Sequence, residues 1–328
     1  MEAWYRSCGR RLPWRETRDP YALTVSEFML QQTAVETVVP YYHAFLRRFP
    51  TFQALGRANP EEVLSAWEGL GYYRRARSLH ALAQDVMAIG GLPEDETALV
   101  KLPGVGPYTA AALRALAIGK RALPVDANVR RVIGRMLALE ERGPAADRII
   151  REAMAPFIPD DPWELVQGLM DIGATVCLPR TPRCEVCPLR SACRGRASGR
   201  PAAFGRGQGR QRPKAVDIAL VALLQKGSLL LQRRQGLLAG LWGLVTVEGM
   251  GTPLAPNGVT FDALRETGIR FTYTFTHRRW RVRTYVGDGW GPGTWVRPDR
   301  VGVPIGGPDR RAIDLLMERG DLRGTGKF

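Results

Sequence analysis

Four of the five cysteines in this 328-residue chain crowd between positions 177 and 193: Cys177, Cys184, Cys187 and Cys193, separated by six, two and five residues. A fold built on this sequence has to gather the four thiols into one short loop. Four sulfurs so close hold either Zn²⁺ or a [4Fe–4S] cluster, and ligand type alone does not choose between them. Metal ligation ranks ahead of disulfides because the N-terminus, MEAWYRSCGR, lacks the apolar stretch of a signal peptide. Nor does any apolar run reach the roughly 18 residues that span a bilayer. The expectation is a cytoplasmic, nucleoid-associated chain in a reducing compartment.

Charge narrows the partner. Lys and Arg outnumber Asp and Glu by 47 to 32, for a net charge of +15, and the sequence pI is about 10.2. That balance favours a polyanion, nucleic acid before membrane surface, over an acidic small molecule. The length exceeds what one hydrophobic core usually serves, so two domains are expected. From Tyr21 to about Cys177 apolar residues recur at helical spacing, with breaks at Pro50, Asn59-Pro60, Gly90-Gly91 and Gly143-Pro144. The stretch 194–214 is basic, free of acids and rich in Gly and Pro, which reads as a solvated linker. Beyond Ala215 the grammar becomes that of strands. DIALVALLQ, Lys226-Gly227 and SLLLQRR read as a hairpin, RFTYTFTHRRWRVRTYV alternates, and a helix is expected near Asp309 to Glu318. The fold class is therefore a mainly α domain over residues 1–195, a basic linker over 196–214, and a smaller α+β domain over 215–328.

Three local patterns carry chemistry. In LVKLPGVGPYTAAAL, Gly104, Val105 and Gly106 form a turn between two helical patterns, bare enough for the amides at the second helix's start to approach a phosphate. An ordinary αα-hairpin would look similar. Asp19-Pro20 opens a helix whose polar stripe, Thr24, Glu27 and Gln31, would by default be solvated. Asp126, in LPVDANVRRV, stands at a helix start, where its bland role is an N-cap contributing about 1 kcal/mol.

Taken together, LPWRETRDPY, SEFMLQQT, GLGYYRRAR, LPGVGPYTA and VDANVRRV, followed by the cysteine set, resemble the MutY-type adenine DNA glycosylases of the helix-hairpin-helix, iron–sulfur superfamily. The resemblance runs from about Arg10 to Cys193. It implies a monofunctional, monomeric enzyme that binds duplex DNA containing A:8-oxoguanine or A:G mispairs, has no dealings with membranes, and carries a [4Fe–4S] cluster on the four cysteines. Glu27 would protonate adenine at N7 while Asp126 stabilises the sugar cation or bonds to it transiently. A carboxyl shielded from water keeps its proton near neutral pH, and one beside helix N–H groups stays ionised. Asn128 would hold the catalytic water or the carboxylate. Related glycosylases that also nick the strand carry a lysine where this chain has Tyr108; a phenol forms no imine, so hydrolysis without lyase chemistry is expected, with Tyr108 positioning Asp126 or the water.

By the same resemblance Arg10, Leu12, Trp14, Arg15 and Gln167 line the pocket for the extruded adenine. Tyr72 wedges into the stack, and Gln32, Thr33 and Leu70 touch the lesion-bearing strand. Residues from Ala215 resemble, more faintly, the Nudix-like domain that these enzymes append for 8-oxoguanine, through GLLAGLWGL and FTHRRW. Phe275-Thr276-His277 departs by one residue from that family's Phe-Ser-His loop and keeps the hydroxyl. A working pyrophosphatase needs a run of acids, and Arg265-Glu266 is followed by Thr267-Gly268, so that activity is not expected. The rival readings are a mismatch glycosylase for another base, such as thymine or uracil, and a catalytically silent DNA-binding protein.

Overall fold

The computed structural model describes residues 1–207, 212–256 and 258–322. Its backbone gathers into two compact units, Met1–Ala58 with Arg74–Gly209, and Asn59–Tyr73 with Arg210–Phe328. The helices, in chain order, are α1 (Glu2–Cys8), α2 (Pro20–Leu30), α3 (Val35–Arg48), α4 (Phe52–Arg57), α5 (Pro60–Ala66), α6 (Arg74–Ile89), α7 (Glu96–Leu99), α8 (Pro107–Ala112), α9 (Ala127–Leu137), α10 (Pro144–Met154), α11 (Trp163–Asp171), α12 (Arg194–Ala197) and, after the strands, α13 (Gly307–Glu318). Among the described residues no helix is long and apolar enough to cross a membrane.

In the first unit α2 is the central helix. Asp19 caps it, its carboxylate accepting from the amides of Tyr21 (3.1 Å) and Ala22 (3.2 Å), with Pro20 pre-setting the first turn. Every residue from Tyr21 to Met29 is buried, so Thr24 and Glu27 of the polar stripe expected to face solvent lie inside, with Gln31 half-buried beyond them. Its hydroxyls are satisfied within the helix: Thr24 donates to the Pro20 carbonyl (2.7 Å) and Ser26 to that of Leu23 (2.8 Å). Glu27 has no such local partner. Both α8 and α11 run on into a wider π-helical turn, Leu113–Ala117 and Ile172–Val176, and the second delivers the chain to Cys177.

After the cysteines the chain does not enter solvent at once. Phe204 is buried, and Gly195 and Gly205 lie directly against α9, where an added Cβ would sit 2.6 Å from the carbonyl oxygens of Arg135 and Arg131 respectively. Gly195 and Gly205 thus pack on α9, while residues 196–200 of the expected linker are exposed; its residues 208–211 lie outside the described ones.

The second unit is a seven-stranded mixed sheet formed by β1 (Lys214–Gln225), β2 (Ser228–Arg233), β3 (Trp242–Gly243), β4 (Val245–Glu248), β5 (Thr260–Thr274), β6 (Arg278–Trp290) and β7 (Thr294–Val296). The strand path is β3-β2-β1-β6-β5, with β4 on β1 and β7 on β2. Strands β1 and β6 run parallel from Lys214↔Arg278 to Leu224↔Asp288, and the other pairings are antiparallel. Lys226 (φ 49°) and Gly227 (φ 75°) close the β1–β2 hairpin with the two left-handed residues that a two-residue turn demands. The core here holds Ala219, Val221, Leu223, Leu230, Val245, Val259 and Tyr285. The long alternation over 270–286 is broken at Phe275–His277, which turns β5 into β6. Arg265 and Glu266 lie on β5, next to a register shift between Glu266 and Arg270.

The segment Asn59–Tyr73 groups with this sheet. Glu61 pairs with Arg233, Glu68 with Arg310 (2.9 Å), and the Tyr73 hydroxyl donates to the Ile305 carbonyl (3.4 Å).

Candidate active site

Glu27 is 8% exposed, and the Tyr108 phenol O–H donates to its Oε2 over 3.4 Å. Burial pushes the Glu27 carboxyl up to about 7, the Tyr108 bond pulls it down, and the nearby Asp126 charge raises it again. Tyr108 is held well above its ordinary value by burial and then by the Glu27 and Asp126 charges, so it remains a phenol. The phenol therefore engages Glu27, where the sequence reading expected it to position Asp126, the water, or both.

Asp126 caps α9. Its Oδ1 accepts from the Val129 amide at 2.6 Å and its Oδ2 from Asn128 Nδ2 at 2.9 Å. Burial raises the Asp126 carboxyl too, against the opposing pull of the Val129 and Asn128 donors and the Arg131 charge. The two carboxyls differ in bonding more than in burial. Asp126 receives two short bonds and Glu27 one long one, so in a shared low-dielectric site the proton belongs on Glu27 and the charge on Asp126.

The hairpin is anchored from behind. Gly104 sits at φ 76°, and a Cβ there would lie 2.5 Å from the Ser78 Cβ and 2.9 Å from the Phe28 ring. Val105 is buried beside it. Gly106 is different: a Cβ would meet nothing within 4 Å, so the space in front of the α8 amides is open. Gln31 at the end of α2 donates to Thr109 on α8 (3.4 Å), linking the hairpin to the Glu27 helix.

The residues assigned to an adenine pocket fall around α11 and the N-terminal segment. Arg10 and Arg15 converge on Asp171, a residue the sequence reading missed. Its side chain is 1% exposed and accepts from Arg10 N and Nε (both 2.8 Å) and from Arg15 Nη1 and Nη2 (2.6 and 2.9 Å). Burial would lift this carboxyl, but the Arg15 and Arg10 guanidiniums hold it below its usual range. Gln167, one turn earlier on α11, is buried, as are Leu12 and Trp14, whose ring meets Tyr42 edge-on at 5.5 Å. Directly after α2, Gln32 takes a left-handed φ of 60° and Thr33 accepts from Arg75 Nη2 (3.0 Å).

Cys177, Cys184, Cys187 and Cys193 are all free thiols lining one cavity with Val132, Met136, Val176 and Leu189. Arg135, buried on α9, donates to Cys177 Sγ (3.3 Å) and to the carbonyls of Leu178 (2.7 Å) and Pro179 (2.6 Å). Among the described residues no three metal-binding side chains converge as they would around a single ion.

The matches to known proteins fit this arrangement. Residues 25–159 match the model of the HhH-GPD superfamily base excision DNA repair proteins. The adenine DNA glycosylase of Mycolicibacterium smegmatis is 42% identical over 205 residues, covering 61% of this chain and 69% of that one. That of Buchnera aphidicola subsp. Baizongia pistaciae is 33% identical over 247 residues, covering 73% and 69%. The chain belongs to the adenine DNA glycosylase family. A solved thermostable thymine-DNA glycosylase is 32% identical with a TM-score of 0.54, covering 60% of this chain and 93% of that one.

In this family member the remaining site residues lie in the second unit. Leu70 is buried, while Tyr72 is 44% exposed at φ 50°. The Thr276 hydroxyl donates to the Tyr72 phenol oxygen at 2.8 Å, joining two positions 204 apart in sequence. Phe275 packs its ring between Tyr273 (5.1 Å) and Trp280 (5.0 Å), leaving Thr276 and His277 as the exposed part of the turn. Two further arginines were not legible beforehand. Arg131 donates to Asn128 Oδ1 (2.8 Å), the Gly173 carbonyl (2.5 Å) and the Cys177 carbonyl (2.7 Å), and Arg75 is buried against the end of α2. Both stand in basic runs, Arg74-Arg75-Ala76-Arg77 and Arg130-Arg131, so nothing in the sequence set either apart.

Proposed function

We propose that this chain hydrolyses the N-glycosidic bond of adenine mispaired with 8-oxoguanine or guanine in duplex DNA. The observation that carries the reading is the buried Glu27 carboxyl, protonated up to about pH 7, beside an Asp126 that accepts two short bonds. Glu27 gives its proton to adenine N7. The C1′–N9 bond then breaks with its electron pair leaving on adenine, and the Asp126 carboxylate offsets the positive charge on the sugar. Water adds to C1′, and its proton returns to the ionised Glu27, which restores the starting state. Asn128 keeps the Asp126 carboxylate oriented, and Tyr108 holds Glu27. With no lysine at position 108, the sugar is released by water alone, without lyase chemistry.

Arg10, Leu12, Trp14, Arg15 and Gln167 form the adenine pocket in this reading, with Asp171 fixing both arginines. Of the Gly104, Val105 and Gly106 turn, the Val105 amide donates to the Leu102 carbonyl (3.1 Å), and the Gly104 and Gly106 amides hold a phosphate and so position the duplex without reading its sequence. Gln32, Thr33 and Leu70 contact the strand that carries the lesion, Tyr72 fills the space left in the stack, and Phe275-Thr276-His277, in a Nudix-like domain, recognises 8-oxoguanine. Cys177, Cys184, Cys187 and Cys193 would hold a [4Fe–4S] cluster; sulfurs around one cavity with an arginine donor fit a cluster better than one Zn²⁺ ion. Held by these four cysteines, a cluster would crosslink the basic loop that contains Arg180, Arg183 and Arg190. The enzyme acts as a monomer on DNA in the cytoplasm.

The test is single-turnover base release from defined duplexes. Adenine should leave an A:8-oxoguanine duplex while thymine stays in a T:G duplex. Release of thymine alone would transfer the reading to the chemistry named for the thymine-DNA glycosylase neighbour. Duplex binding without any release would leave a silent binding protein.

A further inference from the structure

The guanidinium of Arg75, on the first turn of α6, ends at the C-terminus of α2. Nη1 donates to the carbonyls of Phe28 (2.9 Å), Met29 (2.6 Å) and Gln31 (2.6 Å), and Nη2 to the Thr33 hydroxyl (3.0 Å). The last carbonyls of a helix have no partner within it, and a buried helix end requires one. A planar, permanently charged fork meets several such oxygens at once, at the end where the helix dipole is negative. The three carbonyls gather around the single atom Nη1, where an ammonium would meet them too; reaching Thr33 at the same time takes the second arm of the fork.

What lies beyond this contact gives it functional weight. Glu27 directly precedes the first carbonyl that Arg75 holds. Past the last one the backbone enters the left-handed region at Gln32, a conformation that a non-glycine residue keeps only where its surroundings hold it. Gln31, between the two, reaches Thr109, which adjoins the Tyr108 that bonds Glu27. One buried side chain therefore secures both the acid-bearing helix and the turn that follows it.

We propose that Arg75 is a positioning residue that locks the Gln31–Thr33 turn to the Glu27 helix, so that the seating of this turn and the water-free surroundings of the acid depend on one another. This rests on the glycosylase reading above. No contact of Arg75 with DNA is required.

Arg75→Met removes the donors at similar length, and Arg75→Lys keeps the charge without the fork. In the full cofactor-loaded chain, hydrogen exchange of the amides of residues 30–33 should quicken by about tenfold or more in the Met variant, with residues 22–25 unchanged and Lys intermediate. The pH profile of single-turnover adenine release supplies a readout that simple destabilisation would not move. Its alkaline limb, set by the Glu27 proton, should shift to lower pH in Arg75→Met as water reaches the carboxyl, and return part of the way in Arg75→Lys. A lower melting temperature with wild-type exchange at 30–33 and an unmoved alkaline limb would overturn the proposal. If the wild-type chain released no adenine, the glycosylase reading would fall, and the exchange pattern alone would decide whether Arg75 holds the turn.

Discussion

The carboxylate site of the helical unit and the Thr276 turn of the sheet unit solve opposite problems. Glu27 sits on a helix buried from Tyr21 to Met29, and Asp126, half-buried at the start of α9, is held by bonds of 2.6 and 2.9 Å. Thr276 and His277 stand on a tight turn, exposed, with Thr276 holding Tyr72 through one hydroxyl. Acid chemistry depends on a fixed, dry environment because burial is what keeps a proton on Glu27. The lesion recognition proposed for this turn would depend on groups that can meet a strand arriving from solvent, and exposed turns provide them. The contrast predicts that damage to the first region is catastrophic and damage to the second is graded.

The largest effect should come from Glu27→Gln, which keeps the shape and removes the transferable proton. Single-turnover release is expected to fall by about 10²–10⁴-fold, with duplex affinity retained. Asp126→Asn should behave alike, because the amide keeps a cap but carries no charge to offset the sugar cation. Loss of duplex binding in step with activity would show that these side chains merely support the fold.

A second test separates the chemistry from the stability it costs. The Glu27 carboxyl is raised from 4.5 to about 7, so the folded state binds this proton more tightly than the unfolded chain does. Its contribution is complete below pH 4.5 and is lost as pH rises through about 7. At pH 8 the ionised group costs the fold about 3 kcal/mol. Glu27→Gln should escape that cost and melt higher than wild type at pH 8, with the gap closing at pH 5. A melting difference independent of pH would mean that Glu27 titrates normally and would remove the basis for its role as the acid.

How far this division could be read beforehand depended on sequence distance. The Asp19-Pro20 start of α2, the Asp126 cap and the Lys226-Gly227 turn are local, and each was visible as a short string with a physical reason behind it. The burial of the polar face of α2 was not visible. Helical periodicity marks a core by its apolar residues, and here the core also contains Thr24, Ser26 and Glu27. Asp171 was missed because its partners lie 156 and 161 positions away, and Arg75 because it reaches back 47. The basic stretch after the cysteines misled for a related reason: its glycines looked like those of a flexible segment, yet Gly195 and Gly205 serve close approach to α9.

The hairpin offers an intermediate test, because its two glycines face opposite demands. Gly104→Ala would drive a methyl into Ser78 and Phe28 at a left-handed φ, and should cost about 2 kcal/mol of stability by denaturant unfolding. Gly106→Ala meets only open space, so the fold should tolerate it while duplex affinity falls, since the methyl would occupy the approach to the α8 amides. Equal melting temperatures for the two variants would contradict the packing described for Gly104.

The smallest expected effect belongs to the exposed turn. Thr276→Val keeps the shape and deletes the bond to Tyr72, a change of about 1 kcal/mol, or roughly fivefold. It should appear as a narrowed ratio of adenine release opposite 8-oxoguanine to that opposite guanine, with the pH profile set by Glu27 unmoved. Thr276→Ser retains the hydroxyl and should preserve the ratio, since the methyl is the sole difference. If Val and Ser were indistinguishable from wild type on both duplexes, the Thr276–Tyr72 bond would be structural only. If instead Thr276→Val slowed both duplexes alike and shifted the pH limb, the turn would be acting through the acid's environment, and recognition and chemistry would no longer be separable by region.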